Sequence, residues 1–290
     1  MRVRERALRI SAPPEIRVSL IEDFASARQK VLIWLVLING FILFFSAALS
    51  FFLAGKTLQP IAYVLEEQKR FVTDASHELH TPLTALKSSM EVALRDKKLT
   101  TTKSRDVLTQ SLQEVDELAE LSENLLSLAR LEKSGYIKKS RIDLSDLVTQ
   151  VGKRLKSLAD KKEITFQITA AQAVISADEV SVTKLLTILI DNAIKYTPKF
   201  GAVNVAVHVV KKHLEIRVKD TGIGIPKKDL PHIFDRFYRT DRSRTKTGTS
   251  GFGLGLAIAK QIVLSQKGTM TVISKEGKGT MFVVKLPIDE

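Results

Sequence analysis

The chain has 290 residues, room for one or two globular domains plus additional segments. It has no cysteine, which excludes disulfides, thiolate metal sites and a thiol nucleophile. Its net charge of +13 suits a polyanionic partner: a nucleic acid, an acidic membrane surface or a nucleotide triphosphate. No RNA- or DNA-binding signature accompanies that charge, so no nucleic acid is expected as a partner.

Residues 1–30 form a short N-terminal segment. Val31 to Ala54 then carries no charge and is long enough to cross a hydrocarbon core of ~30 Å. It is longer than the core of a signal peptide, and a soluble core helix is rarely so uniformly apolar. It reads as one transmembrane helix over 31–54. Arg17, Arg28 and Lys30 on one side balance Lys56, Lys69 and Arg70 on the other, so flanking charge sets no orientation. A nucleotide site further on would put residues 55–290 in the cytoplasm and residues 1–30 outside. The outer segment is too short for a sensor domain with its own core, so either the membrane segment senses or upstream sequence is missing.

Lys56-Thr-Leu-Gln-Pro60 leaves the membrane, and a helical pattern resumes from Ile61 to about Arg95. Within it, Val72, Ala75, Leu79, Leu83, Leu86 and Met90 make one apolar stripe. His77 falls opposite that stripe, among Thr73, Asp74, His80, Thr81 and Thr84 and beside Glu78. A lone surface histidine has no role, whereas an imidazole displayed beside a carboxylate can be a nucleophile or a ligand. Pro82 should bend the helix just after it. After the turn Asp96–Thr100, a second helix from about Thr101 to Glu132 carries Leu108, Leu112, Val115, Leu118, Leu121, Leu125 and Leu128. Two helices joined by a short turn make an antiparallel hairpin. Pairing two hairpins in a four-helix bundle would cover the stripes, which predicts a homodimer.

Ser134–Ser140 is a linker, and the pattern then becomes mixed. Asp143 can cap a helix bearing Leu144, Leu147, Val151, Leu155 and Leu158. Ile164–Thr169 reads as a strand and Glu179–Tyr196 as a helix. Ala202–Val210 and Leu214–Lys219 form a hairpin across Lys211-Lys-His213. Leu254–Ser265 is a helix, followed by strands Thr269–Ile273 and Thr280–Leu286. The order is α+β with antiparallel neighbours.

Asp220-Thr-Gly-Ile-Gly-Ile-Pro226 follows a strand. Gly222 and Gly224 let the backbone turn tightly and approach a flat ligand, and Asp220 can accept from an exocyclic amine. Asn192, Lys195 and Tyr196 share one face of their helix, while Leu185, Leu186, Leu189 and Ala193 form the inward one. An Asn oxygen can bind Mg²⁺ and a Lys can meet phosphate; a solvated helix end is the alternative. Gly251-Phe-Gly-Leu-Gly255 opens a helix whose free N–H groups suit phosphate. It sits too late in the chain for a dinucleotide turn between parallel strands, and there is no P-loop. Arg236, Arg239, Arg242, Arg244 and Lys246 precede it in a polar stretch that reads as a mobile lid over a polyanion.

In this order the motifs resemble those of bacterial two-component sensor histidine kinases, over residues 56–290. The segment around His77 resembles the H box and Leu185–Pro198 the N box. Asp220–Pro226 and Gly251–Leu256 resemble the two glycine boxes, Ile233–Tyr238 the F box, and Gly279-Thr-Met-Phe282 the closing strand of the ATP-binding fold. The resemblance implies a phosphoacceptor hairpin over 55–135, a dimeric four-helix bundle, and an α+β two-layer sandwich over 140–290 that binds ATP. It implies His77 as phosphoacceptor, Glu78 as the group that orients it and takes its proton, and Thr81 at the phosphatase position. Asn192 would bind Mg²⁺, Lys195 and Tyr196 would touch the phosphates, and Asp220 would read adenine in a pocket shaped by Gly222 and Gly224. Gly251, Gly253 and Gly255 would move with the lid, and Thr280 would assist at the adenine. The implied partner is a response regulator, and the implied site is the cytoplasmic membrane.

His80 stands where the family usually has Arg, and Ile188 where many members have a second Asn. No relay domain separates Ala54 from the hairpin. Two other readings are a degenerate ATP-binding or phosphatase module, opposed by intact His77, Glu78 and Asn192, and an ATPase of the gyrase or Hsp90 kind, opposed by the His-bearing hairpin.

Overall fold

The computed structural model describes residues 14–96, 100–132, 139–210, 213–240 and 251–288. Residues 97–99 of the first turn, most of the Ser134–Ser140 linker, Lys211 and Lys212 of the strand turn, and Arg242, Arg244 and Lys246 of the basic stretch lie outside the described residues. The chain divides into two compact units, residues 1–70 and 71–290.

The first unit is helical. Helix α1 (Pro14–Arg95) runs through Lys56–Pro60, where the sequence predicts an interruption. Pro60 forfeits only one N–H, which a long helix tolerates. From Asp23 to Arg70 every residue is exposed. None of the described residues covers Val31–Ala54, and the helix is long and apolar enough to cross a membrane.

The second unit begins with the end of α1 and helix α2 (Thr101–Glu132). The expected stripes divide in two. Ala75, Leu79 and Leu86 of α1 and Leu118, Leu121, Leu125 and Leu128 of α2 are covered. Val72, Leu83 and Met90, with Leu108, Leu112 and Val115, are exposed. The hairpin therefore has a second apolar face beyond the one each helix turns inward. Helix α1 also continues through Pro82, which forfeits the N–H that would reach the Glu78 carbonyl.

Strand β1 (Ser140–Asp143) pairs antiparallel with β3 (Val174–Ala177) in a two-stranded sheet that the sequence pattern does not announce. Asp143 then caps helix α3 (Leu144–Lys161), its side chain accepting from the Ser145 N–H at 2.9 Å. Strand β2 (Thr165–Ala170), helix α4 (Glu179–Tyr196), β4 (Ala202–Val210), β5 (His213–Asp220), helix α5 (Gly255–Ser265), β6 (Thr269–Lys275) and β7 (Gly279–Pro287) complete the unit. The main sheet has the order β2-β4-β5-β7-β6. All its pairings are antiparallel except β2–β4, which is parallel, so α4 acts as a crossover that the expectation of antiparallel neighbours did not include. Helices α3, α4 and α5 cover one face: Leu185, Leu186, Leu189 and Ala193 meet Val205, Val207, Ile216, Ile258 and Ile262 in a single core. This two-layer packing leaves the other face of α4 free to form a site.

Candidate functional site

A cavity of about 230 Å³ lies between α4, the loop after β5 and the start of α5. Asn192, Lys195, Tyr196, Asp220, Gly224, Gly251, Gly253, Gly255 and Thr280 all line it. Nine candidates from four separated stretches of sequence thus meet in one place.

Asp220 ends β5 and is buried. Its Oδ1 accepts from the Gly222 N–H at 2.8 Å and from the Thr280 N–H at 3.1 Å. Among the described residues no donor reaches Oδ2, which leaves an acceptor for a ligand amine. Burial raises the carboxyl pKa, while the two N–H donors pull the other way. Gly222 does not line the cavity. A Cβ there would come within 2.5 Å of the Tyr196 carbonyl, so this glycine permits the loop to close on the end of α4, behind Asp220. The sequence reading had it approaching a ligand. Gly224, at φ +65, occupies the left-handed region and lies against the Lys275 backbone.

Ile188, Asp191, Asn192, Lys195 and Tyr196 form the cavity-facing side of α4. Burial lowers the pKa of Lys195, against the pull of Asp191, and raises those of Asp191 and Tyr196. The C-terminal end of α4 is held by Lys162, whose Nζ donates to the Ile194 and Lys195 carbonyls at 3.1 and 2.8 Å. A Cβ on Gly251 would sit 3.0 Å from the Lys195 Nζ, so the glycine run and this ammonium are neighbours. Cationic side chains and free N–H groups at the opening of α5 make this end of the cavity suited to phosphate.

His77, Glu78 and Thr81 are exposed on α1. The Thr81 hydroxyl donates to the His77 carbonyl at 3.1 Å, bonding its own helix. A second cavity, of about 450 Å³, is lined by Asp74, His77 and Glu78 on one side and by Asp235, Arg236, Phe237, Tyr238 and Arg239 on the other. Tyr238 and Arg239 line both cavities. The strap carrying them is anchored to α1: Phe237 meets Phe71 with ring centroids 6.0 Å apart, and the Arg236 guanidinium lies 4.9 Å from the centroid of the same ring. The Tyr238 hydroxyl donates to the buried Asp229 at 2.9 Å. Phe237 itself adopts φ +60, which a bulky residue holds only where its surroundings enforce it. Thr81 lines neither cavity.

Some site residues were not legible in sequence. Asp191 adjoins Asn192 and could have been found from its place on the same face. Ser274 stitches the Asp220 loop to β6 and β7, accepting from the Ile225 N–H at 2.8 Å, and no motif marks it. Glu120 and Asn124 of α2 also line the first cavity, although nothing in α2 distinguishes them from a solvated face.

Two family models match the chain: the His Kinase A (phospho-acceptor) domain over residues 67–134, and the histidine kinase-, DNA gyrase B- and HSP90-like ATPase over residues 177–290. The chain is 36% identical over 274 residues to sensor protein CiaH of Streptococcus pneumoniae, which covers 94% of this chain and 61% of that relative. It therefore spans less than two thirds of CiaH's length. Acinetobacter baumannii histidine kinase AdeS superposes with a TM-score of 0.59 at 25% identity, over 74% of this chain and 98% of AdeS. Full-length ShkA, solved in complex with AMPPNP, gives 0.58 at 26% identity, over 74% of this chain and 45% of ShkA.

Proposed function

Since this chain belongs to the family of two-component sensor histidine kinases, we propose that it phosphorylates itself on His77 from ATP and passes the phosphoryl group to an aspartate of a response regulator. The observation that carries this is the shared wall. Tyr238 and Arg239 belong both to the cavity that holds Asp220 and Asn192 and to the one that holds His77 and Glu78. ShkA was solved with a nucleotide analogue, which supports reading the first cavity as an ATP site.

In this reading Asp220 accepts from the adenine amine and Thr280 holds Asp220 in place. Lys195 and Tyr196 meet the phosphates, and Gly251, Gly253 and Gly255 let the neighbouring strap move over them. An imidazole nitrogen of His77 attacks the terminal phosphorus in line. A P–N bond forms as the bond to the leaving oxygen of ADP breaks, and Glu78 takes the imidazole proton. Asn192 would hold a Mg²⁺ ion accompanying the triphosphate, which would supply charge neutralisation at the phosphates. The donors fit that ion: Asn192 offers a hard oxygen, and the described residues contain no cluster of three His, Cys, Asp or Glu that would cage a metal by itself. Residues 31–54 span the cytoplasmic membrane, 55–135 form the dimerising phosphoacceptor hairpin and 140–290 the catalytic domain, both cytoplasmic.

With γ-labelled ATP and Mg²⁺, the chain is expected to gain label that is labile in acid and stable in base. His77→Ala should lose it, and Asn192→Asp should lose most of it through repulsion of the triphosphate. Label retained in His77→Ala would sink the assignment. Thr81, four residues on from His77, is proposed to orient water toward the regulator's phospho-Asp. Thr81→Ala should keep autophosphorylation and slow regulator dephosphorylation, and Thr81→Ser should restore it. Wild-type dephosphorylation in both variants removes Thr81 from that role.

A further inference from the structure

Helix α2 belongs to the phosphoacceptor hairpin, yet it forms part of the wall of the cavity read here as the ATP site. Glu120 and Asn124, one turn apart, line that cavity together with Asn192, Lys195 and Gly251. They are held there by packing, because Leu121 and Leu128 of the same helix are seated in the core shared with α4 and α5. The Glu120 carboxylate is felt across this junction: burial disfavours the charged forms of Lys184 and Lys195, and Glu120 favours both, beside the larger pull of Glu123 on Lys184 and of Asp191 on Lys195.

A carboxylate is an unexpected wall for a polyphosphate site. A nucleoside triphosphate brings several negative charges to the end of the cavity where Lys195 lies. It must compete with Glu120 for that cation and is repelled by the carboxylate itself. We propose that Glu120 sets nucleotide occupancy against the seating of α2 on the catalytic domain. With the cavity empty, Glu120 adds to Asp191 in favouring the charged Lys195 and so supports the seating of α2; with polyphosphate bound, the same carboxylate weakens that seating. Thermodynamic reciprocity makes these one effect: the factor by which a seated α2 weakens the nucleotide is the factor by which the nucleotide loosens α2. This inference rests on the ATP-site reading and adds to it a regulation of that site by the hairpin.

The test is equilibrium binding to the full chain in detergent, with three probes: Mg²⁺·AMPPNP, Mg²⁺·ADP and uncharged adenosine. Glu120→Gln is expected to bind AMPPNP about tenfold more tightly than wild type, as removal of one unit of repulsion at partly solvated range predicts. The gain should be smaller for ADP, absent for adenosine, and reduced by added salt. Asn124→Asp adds a carboxylate one turn away and is expected to move AMPPNP affinity in the opposite direction. Opposite shifts in two variants separate charge from misfolding. Unchanged or weaker AMPPNP binding by Glu120→Gln, or an equal gain for adenosine, overturns the inference while leaving the ATP site standing. Failure of the wild-type chain to bind any of the three overturns the ATP-site reading itself.

Discussion

Asp220 commits one oxygen to the fold and keeps the other in reserve. Two backbone N–H groups, from Gly222 and Thr280, fix Oδ1, so the carboxylate has one orientation before any ligand arrives. Burial raises its pKa above the ordinary 3.8, which means that folding favours the protonated form. The cost of carrying the ionised group is therefore absent below the unfolded value, sets in as pH rises through it, and is complete above the folded value. Asp220→Asn keeps an oxygen for both N–H groups and removes that cost. The variant is expected to melt above wild type near neutral pH, with the advantage shrinking as pH falls toward 3.8. Its amide cannot accept from an adenine amine on the open side, so Mg²⁺·AMPPNP affinity should fall by about 1.5–3 kcal/mol. A stability difference that stays flat across pH would contradict the burial argument, and undiminished affinity would contradict the adenine contact. Asp220 was legible only together with the other motifs, because an acid before paired glycines also occurs in ordinary turns. The purpose of Gly222 was not, because the Tyr196 carbonyl it accommodates lies on a helix that only the fold brings near.

The elements show where periodicity informs and where it fails. Helix α4 was largely readable: its buried apolar residues recur at helical spacing and Asn192, Lys195 and Tyr196 gather on the other side, although Asp191 and Ile188 of the cavity face did not follow from that pattern. Strands β1 and β3 were not, since four residues each are too short a run to establish an alternation. The parallel β2–β4 pair escaped because β3 intervenes before α4 and hides the crossover. In α2 the spacing located seven apolar residues but could not assign them to faces. Leu121 and Leu128 enter the core, whereas Leu108 and Leu112 are 65% and 67% exposed. With Val72, Leu83 and Met90 of α1 they make an apolar surface that a second hairpin would cover. Leu112→Glu is expected to weaken the homodimer, since each copy loses about 1.5–3 kcal/mol of burial and gains a carboxylate at the interface. Light scattering should show monomers at concentrations where wild type is dimeric. An unchanged mass would place the dimer contact elsewhere.

At the scale of the molecule, composition and charge were compatible with several partners, and only the joint placement of motifs selected a nucleotide. The apolar run Val31–Ala54 makes a separate prediction. The full chain should remain with membranes through an alkaline wash and leave them in detergent. Arg in place of both Leu43 and Phe44, at about 2.5–3.5 kcal/mol each, should impair insertion. Wild-type chain recovered in the wash supernatant would rule out the span. The order of the main sheet has a consequence for biosynthesis. β7, the last strand in chain order, does not lie at an edge but between β5 and β6, and its Thr280 N–H holds Asp220. During translation β5 and β6 both emerge with open edges, and the residue that orients Asp220 is still to come. No partly made chain that stops before Thr280 has that contact. A chain truncated within β7 before Thr280 would thus yield a protein that can still reach the membrane and pair its hairpins, but cannot be loaded. Such a product would occupy wild-type partners in mixed dimers, so its genetic signature would be dominance rather than simple loss.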